Sequence, residues 1–173
     1  PGPIWHASQA ELWMVEPEQR KLYDVHDVAI SVISGSDSGD FTAEVVDVGS
    51  GARAEDYAGK DLKGKIVLGS AAAGILQRFA VFEREAAGVL SYTSIRPDSF
   101  PDQILSQGLS STAPKGKAVG FGWSIAPRVG RELAARLARG EKVTVRSLVK
   151  AERFPGELEV VNRIAVAKRK RAA

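Results

Sequence analysis

Apolar residues change their spacing several times along this chain, and each change marks an element. "FTAEVVDVG" places apolar side chains at positions 41, 43 and 45, then at 46 and 48. That is the two-residue period of a strand, with one slip of phase such as a bulge produces. "KGKIVLG" is a continuous apolar run between glycines, the pattern of a strand buried on both faces. Over residues 75–87 the period lengthens. Ile75, Phe79, Phe82 and Ala86 form one helical stripe, with Gln77, Arg78, Glu83 and Arg84 on the wet side. Gly88 stops that helix, and "VLSY" reads as another buried strand.

Residues 93–116 are rich in Pro, Ser and Gly and predict a long loop. "KGKAVGFG" then repeats the KGK-plus-apolar pattern. "PRVGRELAARLARG" predicts a second helix, with Val129, Leu133 and Leu137 in line, Pro127 at its start and Gly140 just past its end. "EKVTVRSLVK" alternates Val143 and Val145 against Lys142, Thr144 and Arg146, a half-exposed strand. "ELEVVNRIAVA" is one more strand candidate. Residues 1–40 mix short apolar runs, "ELWMV" and "DVAISVI", with the polar stretch "SGSDSGD", so strands separated by a loop are expected there. Two strand–helix–strand units with strands on either side predict a mixed α/β domain. Its core should be compact, strand-rich and sandwich- or barrel-like, with about seven strands and two flanking helices. The expected parts are flanking strands over 1–40, a core over 41–151, and a C-terminal strand with a basic tail over 152–173.

The length of 173 residues suits one domain with a real core. No apolar run approaches the length that crosses a bilayer. The opening "PGPIWHASQ" has neither a start methionine nor a signal pattern, which suggests a piece of a longer chain. With no cysteine, disulfides and thiolate metal sites are excluded. The net charge of +3 conceals an asymmetry: residues 1–114 carry 9 Lys+Arg against 16 Asp+Glu, and residues 115–173 carry 15 against 5. Four of those fifteen form the "KRKR" of the tail, Lys168 to Arg171. If the basic half gathers on one face, that face would suit an acidic protein surface.

The chemistry that the residues suggest stays incomplete. "GKDLKGKI" matches a phosphate-binding loop at Gly59, Gly64 and Lys65, but Ile66 stands where the magnesium-binding hydroxyl belongs. A strand follows the glycines instead of preceding them, so the stretch reads as a turn that launches a strand. "GWSIA" puts Ser124 between a strand and a helix, where a nucleophile elbow would hold its serine. Ala126 replaces the usual glycine, and no histidine follows Ser124. His6 and His26 lack helical ligand spacing, and adjacent strand positions such as His26 and Asp27 point to opposite faces. "SDSGD" lacks the ligand ladder and closing glutamate of a calcium loop. The KRKR run has no aromatic platform, so it supports at most weak, salt-sensitive contact with nucleic acid.

Together "DYAGKDLKGKIVLG", "REAAGVLSY" and "FGWSIAPRVGRELAARLARGEKVTVRSLVKA" resemble a protease-associated domain across about residues 41–151. The flanks "ELWMVEPEQRKL" and "EVVNRIAVA" resemble the segments that join this domain to bacterial zinc-dependent aminopeptidases of the transferrin-receptor-like, leucyl aminopeptidase-like family. Arg163 departs from that pattern where an apolar residue is usual, and the peptidase's zinc motifs have no counterpart. The resemblance implies a noncatalytic domain that shapes access to a peptidase site or holds protein partners. It implies that zinc belongs to a peptidase domain beyond these residues and that this fragment binds no cofactor. It further implies an extracellular, periplasmic or envelope location, with a peptidase domain and a peptide or protein substrate as partners and no nucleic acid. The loops at the carboxyl ends of the strands are where ligands favour open α/β units. They carry the candidate binding residues Tyr92, Arg96, Trp123 and Ser124. Arg96 could fork a peptide carboxylate and Trp123 could offer an apolar face. Two other functions remain open from the residues, a serine hydrolase built on Ser124 and a free-standing module for glycans or proteins.

Overall fold

A computed structural model describes residues 4–155. Seven strands form one mixed sheet: β1 (Ile4–Glu16), β2 (Arg20–Asp24), β3 (Gly39–Asp47), β4 (Ile66–Gly69), β5 (Gly88–Ser91), β6 (Phe121–Ser124) and β7 (Thr144–Phe154). Their spatial order is β2-β1-β7-β3-β4-β5-β6, an open sheet that does not close into a barrel. Besides a short 3-10 turn at Ala54–Tyr57, two longer helical segments join them, α1 (Ala73–Leu76) continuing through a π-helical stretch over Gln77–Phe82, and α2 (Pro127–Ala138). The mixed α/β, strand-rich architecture expected from the periodicity is the one observed.

The phase slip in "FTAEVVDVG" has a definite meaning here. From Gly39 to Glu44, β3 pairs antiparallel with β7; from Val45 to Asp47 it pairs parallel with β4. The strand changes neighbours where its alternation slips. One half of the sheet is therefore antiparallel (β2, β1, β7, β3) and the other parallel (β3, β4, β5, β6).

Parallel strands are buried on both faces, and the short ones divide their side chains accordingly. Ile66, Leu68 and Leu90 pack with Phe121, Trp123, Leu12, Met14 and Leu133, the last from α2. Val67 and Val89 point the other way, to Leu76, Ala80 and Val81 from the first helix, with Ile33, Tyr57 and Leu62. The helices thus cover opposite faces. Full burial of each such side chain stabilises by about 1.5–3 kcal/mol. The sheet also curls, because Phe41 of β3 stacks on Phe121 of β6 with centroids 5.1 Å apart. Gly88 makes room for it, since a Cβ there would run into the Phe121 ring.

Two expectations are corrected. The N-terminal runs are strands only in part: "ELWMV" lies within one long strand, residues 4–16, that runs between β2 and β7 and places Ala10, Leu12 and Met14 in the core, whereas "DVAISVI" forms no strand of its own. Residues 31–34 instead lie along the free edge of β6. Val32 bridges Trp123, and the Ile33 and Ser124 amides bond to the Gly122 and Ser31 carbonyls at 2.9 and 2.7 Å. The second correction concerns the first helix. Its buried face is Leu76, Gln77, Ala80 and Val81, whereas Ile75 is 41% exposed. Of the expected stripe, Phe79, Phe82 and Ala86 do pack on this core; a π-helical stretch turns more slowly than an α-helix, and the buried face widens to take in Gln77 while Ile75 is left in solvent.

The "GKDLKGK" turn launches β4 as expected, with Gly59 and Gly64 both at φ +70°. The charge asymmetry dissolves in the fold. Basic residues of the C-terminal half meet acids of the N-terminal half in Arg136–Glu18 (2.7 Å), Lys142–Glu16 (3.1 Å), Arg146–Asp40 (2.5 Å) and Lys117–Glu85 (2.9 Å). Of the two arrangements the charge split left open, one basic face or an interleaved surface, these pairs show the interleaved one among the described residues. Asp37 and Asp40 of "SDSGD" are part of this pairing, with Arg153 and Arg146. The strand candidate "ELEVVNRIAVA" and the KRKR tail lie outside the described residues.

Candidate functional site

The carboxyl ends of β3, β4, β5 and β6 lie along one rim of the parallel half. Asp47, Ser70, Tyr92 and Ser124 sit at or just past these strand ends. The rim is roofed by the long connection 92–120 between β5 and β6, which two glutamines secure. Gln107 accepts from the Ala73 amide through Oε1 (2.7 Å), and its Nε2 donates to Ser124 Oγ (2.9 Å) and Ser91 Oγ (3.2 Å). Gln77, 1% exposed in the π-helical stretch, donates to the Ser110 and Val119 carbonyls and accepts from the Ser110 amide. Such a buried network holds when every member is paired.

Ser124 belongs to this network. Its hydroxyl donates to the Leu105 carbonyl at 2.7 Å and accepts from Gln107, and the residue is fully buried. Trp123 is also fully buried, its indole N–H donating to Ser147 Oγ at 2.8 Å. Neither residue reaches the surface, so both are placed with the sheet core and not with an open cleft. The other two candidates are placed on the roof. Arg96 is exposed and lines a shallow recess with Ile95, Phe100 and Gln103. Ile95 and Phe100 are 81% and 51% exposed, the most accessible large apolar side chains among the described residues.

Tyr92 lines a separate cleft of about 310 Å³ with Ser70, Ser94, Pro97 and Arg131. Helix α2 can approach because residue 130 is glycine; a Cβ there would run into the Tyr92 side chain. The contact holds Arg131 beside the phenol. Burial pushes the Tyr92 phenol above its ordinary pKa, and the Asp47 carboxylate acts in the same sense against Ser70 and Arg131. The phenol therefore remains a hydrogen-bond donor at neutral pH. Arg131 donates to Asp98 at 2.7 Å, and Arg128 grips Asp102 through two bonds of 2.6 and 2.8 Å. With the Arg128 amide bonded to the Pro101 carbonyl at 2.8 Å, these tie the roof to the first turns of α2.

Ser70, Arg131 and Gln107 escaped the sequence reading, Gln77 was expected on the wet side of its helix, and Ser94 was covered only as part of the loop 93–99. One signal for the first was present, since Ser70 directly follows a buried parallel strand as Tyr92 does. The glutamines gave none, because a glutamine in a helix or a polar loop normally faces water.

His6 and His26 line one cleft of about 330 Å³ with Trp5, Ser8 and Val25, although their spacing offered no ligand pattern. No carboxylate lines it. Among the described residues no three His, Asp or Glu side chains gather as zinc ligands would, and no helix is long and apolar enough to cross a membrane.

No protein-family model and no curated protein sequence matches the chain. Solved structures are similar to it. An aminopeptidase from Aneurinibacillus sp. strain AM-1 is 28% identical with a TM-score of 0.60, over 88% of this chain and 34% of its own. A peptidase M28 precursor from Shewanella amazonensis SB2B gives 16% and 0.61, over 87% of this chain and 36% of its own. A zinc aminopeptidase from Bacillus subtilis gives 17% and 0.59, over 87% and 31%. The chain thus spans about a third of each of these proteins, between 31% and 36% of their lengths. Its fold resembles a sub-region of zinc aminopeptidases.

Proposed function

We propose that this chain is the noncatalytic protease-associated part of a zinc aminopeptidase-like protein, serving as a lid over substrate access or as a module that holds protein partners. The observation that carries the reading is the match of nearly all of this chain to only a third of several aminopeptidases. The burial of Ser124 and the commitment of its hydroxyl to a carbonyl and an amide support a structural role for that serine. The exposed Ile95 and Phe100 on a tethered roof support contact with another protein surface. Zinc, in this reading, sits in the peptidase part, and the location is extracellular or in the bacterial envelope. The test is hydrolysis of aminoacyl nitroanilides and short esters by the purified chain with and without added zinc. No turnover is expected. Turnover that disappears in Ser124→Ala would replace this reading with the serine-hydrolase one.

A further inference from the structure

One buried side-chain oxygen among the described residues lacks a hydrogen-bond partner, and it is Ser94 Oγ. Buried polar atoms are nearly always paired, and Ser94 lines a cleft, where an arriving group could supply the missing partner. Its neighbours around that cleft, Ser70, Tyr92 and Arg131, are all hydrogen-bond donors. Arg131 is held by Asp98, whose side chain is 87% exposed and which belongs to the roof, not to the sheet. An exposed pair of this kind contributes little and is readily exchanged. The roof need not detach when it breaks, because Arg128 keeps its two-bond grip on Asp102. Asp47, close enough to act on the Tyr92 phenol, adds negative charge beside the cleft. That disfavours a doubly charged phosphate more than a single carboxylate.

We propose that the cleft between β4, β5 and α2 binds a peptide carboxylate, which takes Arg131 from Asp98 and accepts from the Ser94 and Tyr92 hydroxyls. The Asp98 carboxylate occupies the guanidinium until the ligand comes. Ile95 and Phe100 offer apolar surface on the same roof for the neighbouring residues of an extended peptide. The inference rests on the interaction-module reading and narrows it to acidic or C-terminal carboxylates.

Fluorescence anisotropy on the 173-residue chain tests it with three N-terminally labelled peptides. They are Ala-Ala-Leu-Phe as the free acid, the same sequence as its amide, and Ala-Glu-Leu-Phe amide. Binding of the free acid or the glutamate peptide, with the neutral amide at least roughly tenfold weaker, is expected; which of the two binds identifies the carboxylate's source. Arg131→Gln should lower that affinity about tenfold with an unchanged thermal midpoint. Asp98→Asn, which removes the internal competitor, should raise it up to about fivefold. Equal binding of all three peptides, or indifference to both variants, would overturn the carboxylate site while leaving a partner-holding role through the apolar roof intact. Failure of all three peptides to bind would overturn the site as well, and turnover of nitroanilides separately decides the noncatalytic reading.

Discussion

The Ser124 hydroxyl and the Gln107 side-chain amide meet at 2.9 Å beneath the connection between β5 and β6. The same hydroxyl holds the Leu105 carbonyl at 2.7 Å, so one serine fastens two points of a segment that has no strand of its own to anchor it. A residue at the position of a nucleophile elbow is used here as a tether. The hydroxyl proton points to a carbonyl, and its lone pair is taken by a neutral amide.

Ser124→Ala should therefore act on stability. It leaves the Leu105 carbonyl unpaired and removes one of the two acceptors of Gln107 Nε2. A loss of about 1–3 kcal/mol is expected in urea denaturation, with faster proteolytic cutting between residues 93 and 106. An unchanged urea midpoint would contradict the tether.

Gln77→Leu removes a side chain bonded at three points to the connection, at Ser110 twice and Val119 once. The shapes are similar, so the cost comes from backbone groups left dry, and a loss of about 2–4 kcal/mol is expected. Hydrogen exchange at the Ser110 amide should accelerate, which a simple packing defect in the helix would not cause.

Gly130→Ala reverses the usual sign for such a change. Alanine normally stabilises a helix interior by about 1 kcal/mol over glycine. Here the added methyl must displace Tyr92, and overpacking costs about 1–3 kcal/mol. A fall in Tm of about 2–6 °C is expected; a rise would show that α2 and Tyr92 are not in contact.

Acid should weaken the fold. Hydrogen bonding from Arg146 holds Asp40 below its ordinary value, Arg128 does the same for Asp102, and Thr144 followed by Lys142 for Glu16. A carboxyl with a depressed folded-state pKa contributes stability that is present above its unfolded value and lost as pH falls through the folded one. The urea midpoint should hold between about pH 5 and 7 and decline below about pH 4. Because these groups are exposed, the decline should shrink in 0.5 M salt. A midpoint that is flat to pH 3 would contradict it.

The strands and the second helix were legible because their signals are local. Val143 and Val145 show a two-residue period, and Val129, Leu133 and Leu137 show a helical one, and tertiary packing kept both. The first helix was legible in existence and, for Phe79, Phe82 and Ala86, in register, but not at Ile75 and Gln77. A π-helical stretch leaves no mark on a hydrophobic pattern, and it moved Gln77 from the expected wet side to full burial. The site divided in the same way. The position of Tyr92 at the end of a buried parallel strand was readable. Arg131 was not, because its nearness to Tyr92 depends on Gly130 lying against that ring across a long sequence gap. Trp123 illustrates the converse. Its place just before a strand–helix junction left both an exposed apolar face and a core position open, and packing with Leu90 and Leu133 together with the bond to Ser147 puts it in the core.

Because β3 belongs to the antiparallel half up to Glu44 and to the parallel half from Val45, the two halves have one strand in common. Neither half can release that strand without stripping an edge of the other. Disruption at either end should spread through the shared ribbon, so the protein should lose its exchange protection in β1 and in β5 in a single cooperative event, as one body and not as two modules melting in turn.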